Sequence, residues 1–258
     1  MALLEIRTLS KNFVGLAALN KLDLDVFDSE IVGLIGPNGA GKTTLFNVIC
    51  GFYSPSEGNV FFKGQDITGM KSHKIARMGI GRSFQASTLF MKSTVLDNVL
   101  TGFHINYKQP GWKAFLHTSL AREEERTVKE KAMEILDFMG LASQKDKLAE
   151  NLSSGYQKTL AISIALSANP DLLLLDEPVT TLSPDRVEMI MDLINKVRSS
   201  GTTVVVIEHN MKAIMDYCDR IVVMAYGRNI AEGLPQEIRE NRDVIEAYLG
   251  DMSSCTFE

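Results

Sequence analysis

The sequence predicts an α/β fold in which helices cover both faces of a parallel sheet. Continuous apolar runs at residues 172–175, 203–207 and 221–224 are typical of strands that are buried on both faces. Helical patterns at residues 185–198 and 210–217 separate these runs, and such alternation is typical of a parallel sheet. Further strand patterns near the N-terminus predict a second, antiparallel sheet beside the first.

Composition and charge indicate a globular protein and disfavour binding to nucleic acid. The 258 residues are 45% hydrophobic, which is enough to bury a large core. The net charge of −5 supplies no basic field to attract nucleic acid or anionic lipid. Cys50, Cys218 and Cys255 lack the paired spacing of a zinc site, so we expect reduced thiols in the cytoplasm. We expect neither a secretory leader nor a membrane span, because no apolar run approaches about 18 residues.

The first elements along the chain are strands. Residues 3–7 and 21–27 have strand patterns, and the second alternates apolar with acidic residues, as on a sheet with one wet face. These strands flank a turn around Phe13. Residues 59–63 form another short strand after turn-forming residues at 54–58. Together they predict the antiparallel sheet.

A glycine-rich loop follows the apolar run of residues 31–35 and precedes a helix-like stretch. The loop and the start of the helix read Gly36, Pro37, Asn38, Gly39, Ala40, Gly41, Lys42, Thr43 and Thr44. In such a loop the backbone N–H groups surround phosphates, the lysine reaches the β and γ oxygens, and the first threonine offers its hydroxyl to Mg²⁺. A turn that merely joins a strand to a helix is the alternative. The strand, the lysine and the helix favour a site for a nucleoside triphosphate.

Polar residues follow two of the buried strands. Asp176 and Glu177 come directly after residues 172–175, where the carboxyl edge of a parallel sheet meets a nucleotide. We interpret Asp176 as a Mg²⁺ ligand, through a water, and Glu177 as the group that activates the attacking water. His209 follows residues 203–207 and is predicted to contact the γ-phosphate or that water. The alternatives are a solvated acidic turn and an ordinary surface or core histidine.

The region from about residue 86 to 165 has few strand patterns. Within it, residues 120–139 place apolar side chains along one helical stripe. We therefore predict a helical subdomain at residues 86–165, inserted into a nucleotide-binding core formed by residues 1–85 and 166–258.

Residues 151–158, Asn-Leu-Ser-Ser-Gly-Tyr-Gln-Lys, resemble the LSGGQ signature of ATP-binding cassette (ABC) ATPases. Together with the phosphate loop, Gln85, Glu177 and His209, the resemblance covers nearly the whole chain. It implies an ATPase with a RecA-like P-loop NTPase core, a parallel sheet, an antiparallel β-subdomain and an inserted α-helical subdomain.

The resemblance also implies that two such chains hold ATP between them, head to tail. Phe13 would stack on adenine, although a single aromatic residue in such a segment is commonly part of a core. Gln85 would contact Mg²⁺ or the attacking water. Ser153, Ser154 and Gly155 would cap the γ-phosphate of ATP bound to the partner.

The chain departs from the family pattern at three positions. Ser154 replaces the second signature glycine, Tyr156 replaces the glutamine, and Ser183 stands where the family usually has Asp or Asn. We expect these changes to weaken the partner's site, which this chain's signature completes, more than the chain's own site. We therefore expect a heterodimer of unequal sites rather than a homodimer.

The C-terminal residues 239–250 resemble the ATPase subunits of branched-chain amino-acid importers. That group also serves permeases for urea and short amides. The resemblance implies a second ATPase, two permease chains, an external solute-binding protein and a position on the inner face of the plasma membrane. Thr88, Leu89 and Phe90 would line the cleft for a permease helix, with internal packing as the alternative for Leu89 and Phe90.

Three other functions are open alternatives. The chain could be the ATPase of an exporter, for example of lipopolysaccharide. It could be an ABC protein of DNA repair or of the ribosome, although it lacks the second cassette or long coiled coil of those proteins. It could also be a nucleotide-binding regulatory subunit with a degenerate signature.

Overall fold

The computed structural model describes residues 2–83, 89–103 and 119–252. The strands are β1 (Leu4–Phe13), β2 (Leu16–Val26), β3 (Ile31–Ile35), β4 (Glu57–Phe62), β5 (Gln65–Asp66), β6 (Ile80–Ser83), β7 (Leu172–Asp176), β8 (Thr203–Ile207), β9 (Arg220–Ala225) and β10 (Arg228–Gly233). The α-helices are α1 (Lys42–Ile49), α2 (Ser72–Arg77), α3 (Val95–Gly102), α4 (Ser119–Phe138), α5 (Ser154–Leu166), α6 (Pro184–Ser199), α7 (Met211–Tyr217), α8 (Pro235–Glu240) and α9 (Arg242–Met252). Short 3-10 helices lie at Ala142–Gln144 and Ala149–Asn151.

The larger sheet has the strand order β10-β9-β3-β8-β7-β6. Its strands run parallel from β9 to β6, and only β10 is antiparallel to its neighbour. Alternate side chains of β7 face opposite apolar clusters, Leu172 and Leu174 on the side of α1, Leu173 and Leu175 on the side of α6. Helices therefore cover both faces, which confirms the predicted α/β fold.

The smaller sheet is antiparallel, with the order β2-β1-β4-β5. Its register places Leu4 opposite Phe62 and Ile6 opposite Val60, so that these apolar side chains pack in the cluster around α1. The β1–β2 hairpin is longer than the sequence pattern predicted, because it continues to Phe13 and resumes at Leu16. The added end is largely exposed, and an exposed strand end lacks the alternation that predicts a strand.

The described residues between β6 and β7 contain no strand that belongs to either sheet. Helix α4 begins and ends within one residue of the helix predicted at residues 120–139. It joins α3 and α5 around a third apolar cluster, which includes Val99, Leu136 and Leu160. Helix α5 packs on this cluster and also on the one beside α6, so the division of the chain at residue 165 stays a prediction.

The described residues contain no helix that is both long enough and apolar enough to span a membrane.

Candidate active site

The phosphate loop lies between β3 and α1 at the carboxyl edge of the larger sheet. Two of its glycines are required by close contacts. A Cβ atom on Gly36 would lie 2.0 Å from the Met224 carbonyl oxygen of β9, and one on Gly41 would lie 2.4 Å from the Ala18 carbonyl oxygen of β2. Both glycines have positive φ angles, 149° and 102°. The loop is thus held between the two sheets.

Lys42, the first residue of α1, points its ammonium group back into the loop. Its Nζ atom donates hydrogen bonds to the carbonyl oxygens of Gly36 at 2.6 Å and Pro37 at 3.0 Å. Burial lowers the pKa of Lys42, and the nearby carboxylates of Glu177 and Asp176 oppose that change. The lysine therefore lies at the loop within the field of both acidic residues.

The carboxyl ends of strands β7 and β8 bring the predicted acidic residues and the histidine together. Asp176 ends β7 and is buried, and its Oδ2 atom accepts a hydrogen bond from Arg82 Nη2 at 2.9 Å. Glu177 has a positive φ angle of 53°, and its backbone N–H donates to the Ile207 carbonyl oxygen at 2.9 Å. This conformation places Glu177 Oε1 3.3 Å from Nε2 of His209.

Besides Arg82, two further charged residues at this site were missed by sequence reasoning. Glu208 is only 1% exposed, and its carboxylate accepts hydrogen bonds from the backbone N–H groups of Val179 at 2.6 Å and His209 at 3.0 Å. Lys158 of α5 donates from Nζ to the Glu177 carbonyl oxygen at 2.7 Å. The position of Glu208 directly after a buried strand was a usable signal, whereas nothing in the sequence places Lys158 beside Glu177.

Phe13 lies at the surface, at the end of the β1–β2 hairpin, and is 39% exposed. Its ring packs against Tyr53 in an edge-to-face arrangement, with 5.3 Å between ring centroids. The Lys11 ammonium lies 5.1 Å from the Phe13 ring centroid. The exposure contradicts a purely internal packing role and leaves part of the ring accessible.

The signature residues begin helix α5. Ser153 precedes the helix, and Ser154 and Gly155 form its first turn. A Cβ atom on Gly155 would make only an ordinary contact, 3.5 Å from Arg186 Cδ. The fold of this chain therefore does not itself require glycine there. Among the described residues, no hydrogen bond joins this turn to the phosphate loop.

The structure describes only two of the four residues predicted to have roles between positions 85 and 90. Gln85 and Thr88 lie outside the described residues. Leu89 is 6% exposed and packs in the helical cluster, which supports the internal alternative for that residue. Phe90 is 58% exposed and remains available for contact with another chain.

The donor atoms present fit Mg²⁺. Thr43 is exposed in the first turn of α1, and Asp176 offers carboxylate oxygen. Within the described part of the chain, no group of three or more His, Cys, Asp or Glu side chains could enclose a metal ion. Few protein oxygens suit Mg²⁺, because this ion keeps several waters and takes other ligands from substrate phosphates.

Known proteins share both the motifs and the fold. The ABC transporter family matches residues 19–180, and the branched-chain amino acid ATP-binding cassette transporter family matches residues 228–252. The chain is 40% identical over 250 residues to the high-affinity branched-chain amino acid transport ATP-binding protein LivG of Escherichia coli K12, covering 96% of this chain and 98% of the relative. The protein BraF of Pseudomonas aeruginosa, with the same description, gives the same identity and coverage.

Solved structures agree with this relationship. The structure resembles a nucleotide-free ATP-binding cassette from an ABC transporter, with a TM-score of 0.86, 33% identity, and coverage of 96% of this chain and 99% of the other. A dimeric cassette in a post-hydrolysis state, bound to ADP and phosphate, has a TM-score of 0.76 and 26% identity, covering 90% of this chain and 98% of the other. The chain belongs to the ABC transporter family, whose ATP-binding cassettes are the ATPases that power transport.

Proposed function

We propose that the chain binds ATP with Mg²⁺ at the phosphate loop and hydrolyses it with Glu177 as the general base. The observation that carries this proposal is the 3.3 Å contact between Glu177 and His209, beside Asp176 and Lys42 on one sheet edge. A carboxylate held near an imidazole can accept a proton from water, and the imidazole can orient that water or the γ-phosphate. Gln85 would assist the same site.

The loop residues would bind the phosphates. The Lys42 ammonium, which now satisfies the Gly36 and Pro37 carbonyl oxygens, would turn to the β and γ oxygens. Backbone N–H groups would supply further donors, from Asn38, Gly39, Ala40, Gly41, Thr43 and Thr44. Thr43 and Asp176 would hold Mg²⁺, which neutralises phosphate charge when bound. The exposed face of Phe13 would stack on adenine.

The second half of each site would come from a partner cassette. Ser153, Ser154 and Gly155 sit at a helix N-terminus, which favours an anion, and the chain's own packing does not require the glycine. A related solved cassette is dimeric. Because Ser154 and Ser183 depart from the family pattern, we assign this chain to a heterodimer in which the partner supplies the more regular signature.

The transport role follows from the relatives. LivG and BraF are named for branched-chain amino acid transport, so the proposed cargo is a branched-chain amino acid or a related polar solute such as urea or an amide. The chain would lie on the inner face of the membrane, bound to two permease subunits, and an external binding protein would deliver the solute. The exposed Phe90 supports a permease contact beside the helical cluster.

Replacing Glu177 with glutamine tests the catalytic assignment. In the purified chain mixed with its partner cassette, we expect Glu177→Gln to lower ATP turnover by roughly 10²–10⁴-fold, because it removes the base while keeping the side-chain shape. ATP binding should persist. In vesicles with the permeases, uptake of labelled leucine should fall together with hydrolysis. Equal turnover in wild type and variant would remove Glu177 from this role, and full turnover by the isolated chain would contradict the heterodimer.

A further inference from the structure

Arg82 is a largely buried charged residue that the proposed function does not use. It lies on β6, which pairs in parallel with β7, so that Arg82 is opposite Leu174. Arg82 and Asp176 both face the side of the sheet that α1 covers, because Ile80 and Leu174, two residues before each of them, pack in that cluster. The topology thus brings together two charges that are 94 residues apart in the chain.

The guanidinium group of Arg82 uses its two terminal nitrogens for two different partners. Nη2 donates to Asp176 Oδ2 at 2.9 Å, and Nη1 donates to Asn47 Oδ1 of α1 at 2.7 Å. The two charged side chains are only 9% and 7% exposed. The guanidinium carbon also lies 5.6 Å from the centroid of the Phe46 ring, which is fully buried in α1.

Asn47 is itself fixed to the chain after the phosphate-loop helix. Its backbone carbonyl oxygen accepts hydrogen bonds from the backbone N–H groups of Phe52 at 2.8 Å and Tyr53 at 3.1 Å. Arg82 therefore links the end of β7 to α1, the helix that begins with Lys42. The planar guanidinium, with its donors at fixed positions, suits both partners at once.

We propose that Arg82 is a positioning residue that fixes the Asp176 carboxylate relative to α1, so that Asp176 and Thr43 keep the spacing that a Mg²⁺ ion bound with ATP requires. One carboxylate oxygen, Oδ2, is held by Arg82, and the other would be left to serve the metal, directly or through a water. The proposal rests on the proposed function, since it assigns the second contact of the same Asp176.

A positioning role and a purely electrostatic role predict opposite changes in Mg²⁺ binding when Arg82 is replaced by methionine. A cation beside Asp176 repels Mg²⁺, so if charge alone mattered, Arg82→Met would strengthen the binding of Mg²⁺. If orientation matters, Arg82→Met and Arg82→Lys should both weaken it. A lysine keeps the charge, but its single nitrogen cannot occupy both guanidinium positions.

The experiment measures the affinity for a non-hydrolysable ATP analogue by calorimetry, with Mg²⁺ and in EDTA, so the readout does not depend on turnover. We expect both Arg82 variants to bind the analogue in EDTA within about twofold of wild type. The gain in affinity from Mg²⁺ should fall on the order of tenfold. Bound Mn²⁺, observed by electron paramagnetic resonance with the same analogue, should show the same loss.

Arg220→Lys is the matched control. Arg220 is also a largely buried arginine in an ion pair, 2.6 Å from Glu30. It is the first residue of β9, however, and so lies at the amino ends of the parallel strands, opposite to the carboxyl ends that carry the phosphate loop and Asp176. We expect this variant to keep the wild-type gain from Mg²⁺. If Arg82→Met does not fold, the comparison of Arg82→Lys with the wild type tests the positioning role.

Two outcomes would overturn the proposal in different ways. A wild type without any gain from Mg²⁺ would contradict the proposed function and this proposal with it. An intact wild-type gain that stays unchanged, or increases, in the folded Arg82 variants would contradict the positioning role alone.

Discussion

At the scale of single residues, the Glu208 carboxylate organises the loops around the proposed base. It accepts hydrogen bonds from the backbone N–H groups of Val179 and His209, and the Thr180 hydroxyl lies 3.3 Å from its Oε2 atom. Val179 belongs to the loop after Glu177, and His209 contacts Glu177 directly. A buried carboxylate is stabilised only when such donors compensate its lost hydration. Glu208 thus connects the ends of β7 and β8.

Replacing Glu208 with glutamine should lower both stability and turnover. In the glutamine, an NH₂ group replaces one of the two carboxylate oxygens. One of the backbone N–H groups that now donate to Glu208 would then face another donor instead of an acceptor. We expect a loss of about 2 kcal/mol in the free energy of unfolding by urea, and a lower kcat for ATP. Glu240→Gln, an exposed carboxylate in α8, is the control and should change neither. An unchanged unfolding free energy in Glu208→Gln would show that these hydrogen bonds contribute nothing.

At the scale of elements, the phosphate loop depends on its contacts with strands that are distant in sequence. Met224 of β9 approaches Gly36, and Ala18 of β2 approaches Gly41. The backbone N–H of Gly227, just before β10, donates to the Ala40 carbonyl oxygen at 3.1 Å. The loop is therefore shaped by β9, β2 and the turn before β10, as well as by its own glycines.

A pair of alanine substitutions separates contact from backbone strain. Gly36→Ala would place a methyl group 2.0 Å from a backbone oxygen that cannot move freely, whereas Gly39→Ala would meet nothing within 4 Å. Gly39 has a φ angle of 78°, so we expect Gly39→Ala to cost only about 1–2 kcal/mol of unfolding free energy. Gly36→Ala should cost more, measured by urea unfolding without nucleotide. Equal losses would mean that the Met224 contact relaxes easily.

At the scale of the whole molecule, three apolar clusters hold the parts together. The first joins the antiparallel sheet to one face of the parallel sheet through α1, and the second covers the other face. The third lies among α3, α4 and α5. Because α5 contributes to two clusters and carries Lys158, it connects the helical region physically to the chain's own Glu177.

Each of the first two clusters contains a buried thiol, which makes stability depend on pH. Burial raises the pKa of Cys50 from 9.0 to about 11 and that of Cys218 from 9.0 to about 12. Above pH 9 the unfolded chain loses these protons while the folded chain keeps them. The folded state then binds more protons, so its stability falls as pH rises from 9 towards 11.

The expected slope is at most about 1.4 kcal/mol per pH unit for each thiol. Urea unfolding at pH 8.5 and 10.5, with reductant present, should show a steeper loss in wild type than in the double variant Cys50→Ala, Cys218→Ala. The lysines whose pKa values burial lowers, Lys42 and Lys158, are common to both proteins and cancel in this comparison. Parallel slopes would contradict the assignment to the thiols.

Much of the fold could be predicted because its signals are local. The strands β3, β7, β8 and β9 are continuous apolar runs, and α4 carries a regular stripe. The short elements α2 and β6 were not predicted. β6 reads Ile-Gly-Arg-Ser and is a strand because it pairs with β7, a reason that lies elsewhere in the chain.

The sequence by itself determined the phosphate loop, the buried strands and the polar residues at their ends, since spacing along one segment is enough to indicate them. Only the tertiary structure decided which side chains meet. It placed Arg82 on Asp176, buried Leu89 while leaving Phe90 exposed, and set Lys158 against the Glu177 carbonyl oxygen. The physical reason is that these contacts depend on strand order and helix packing, which bring together residues too far apart for any local pattern to record.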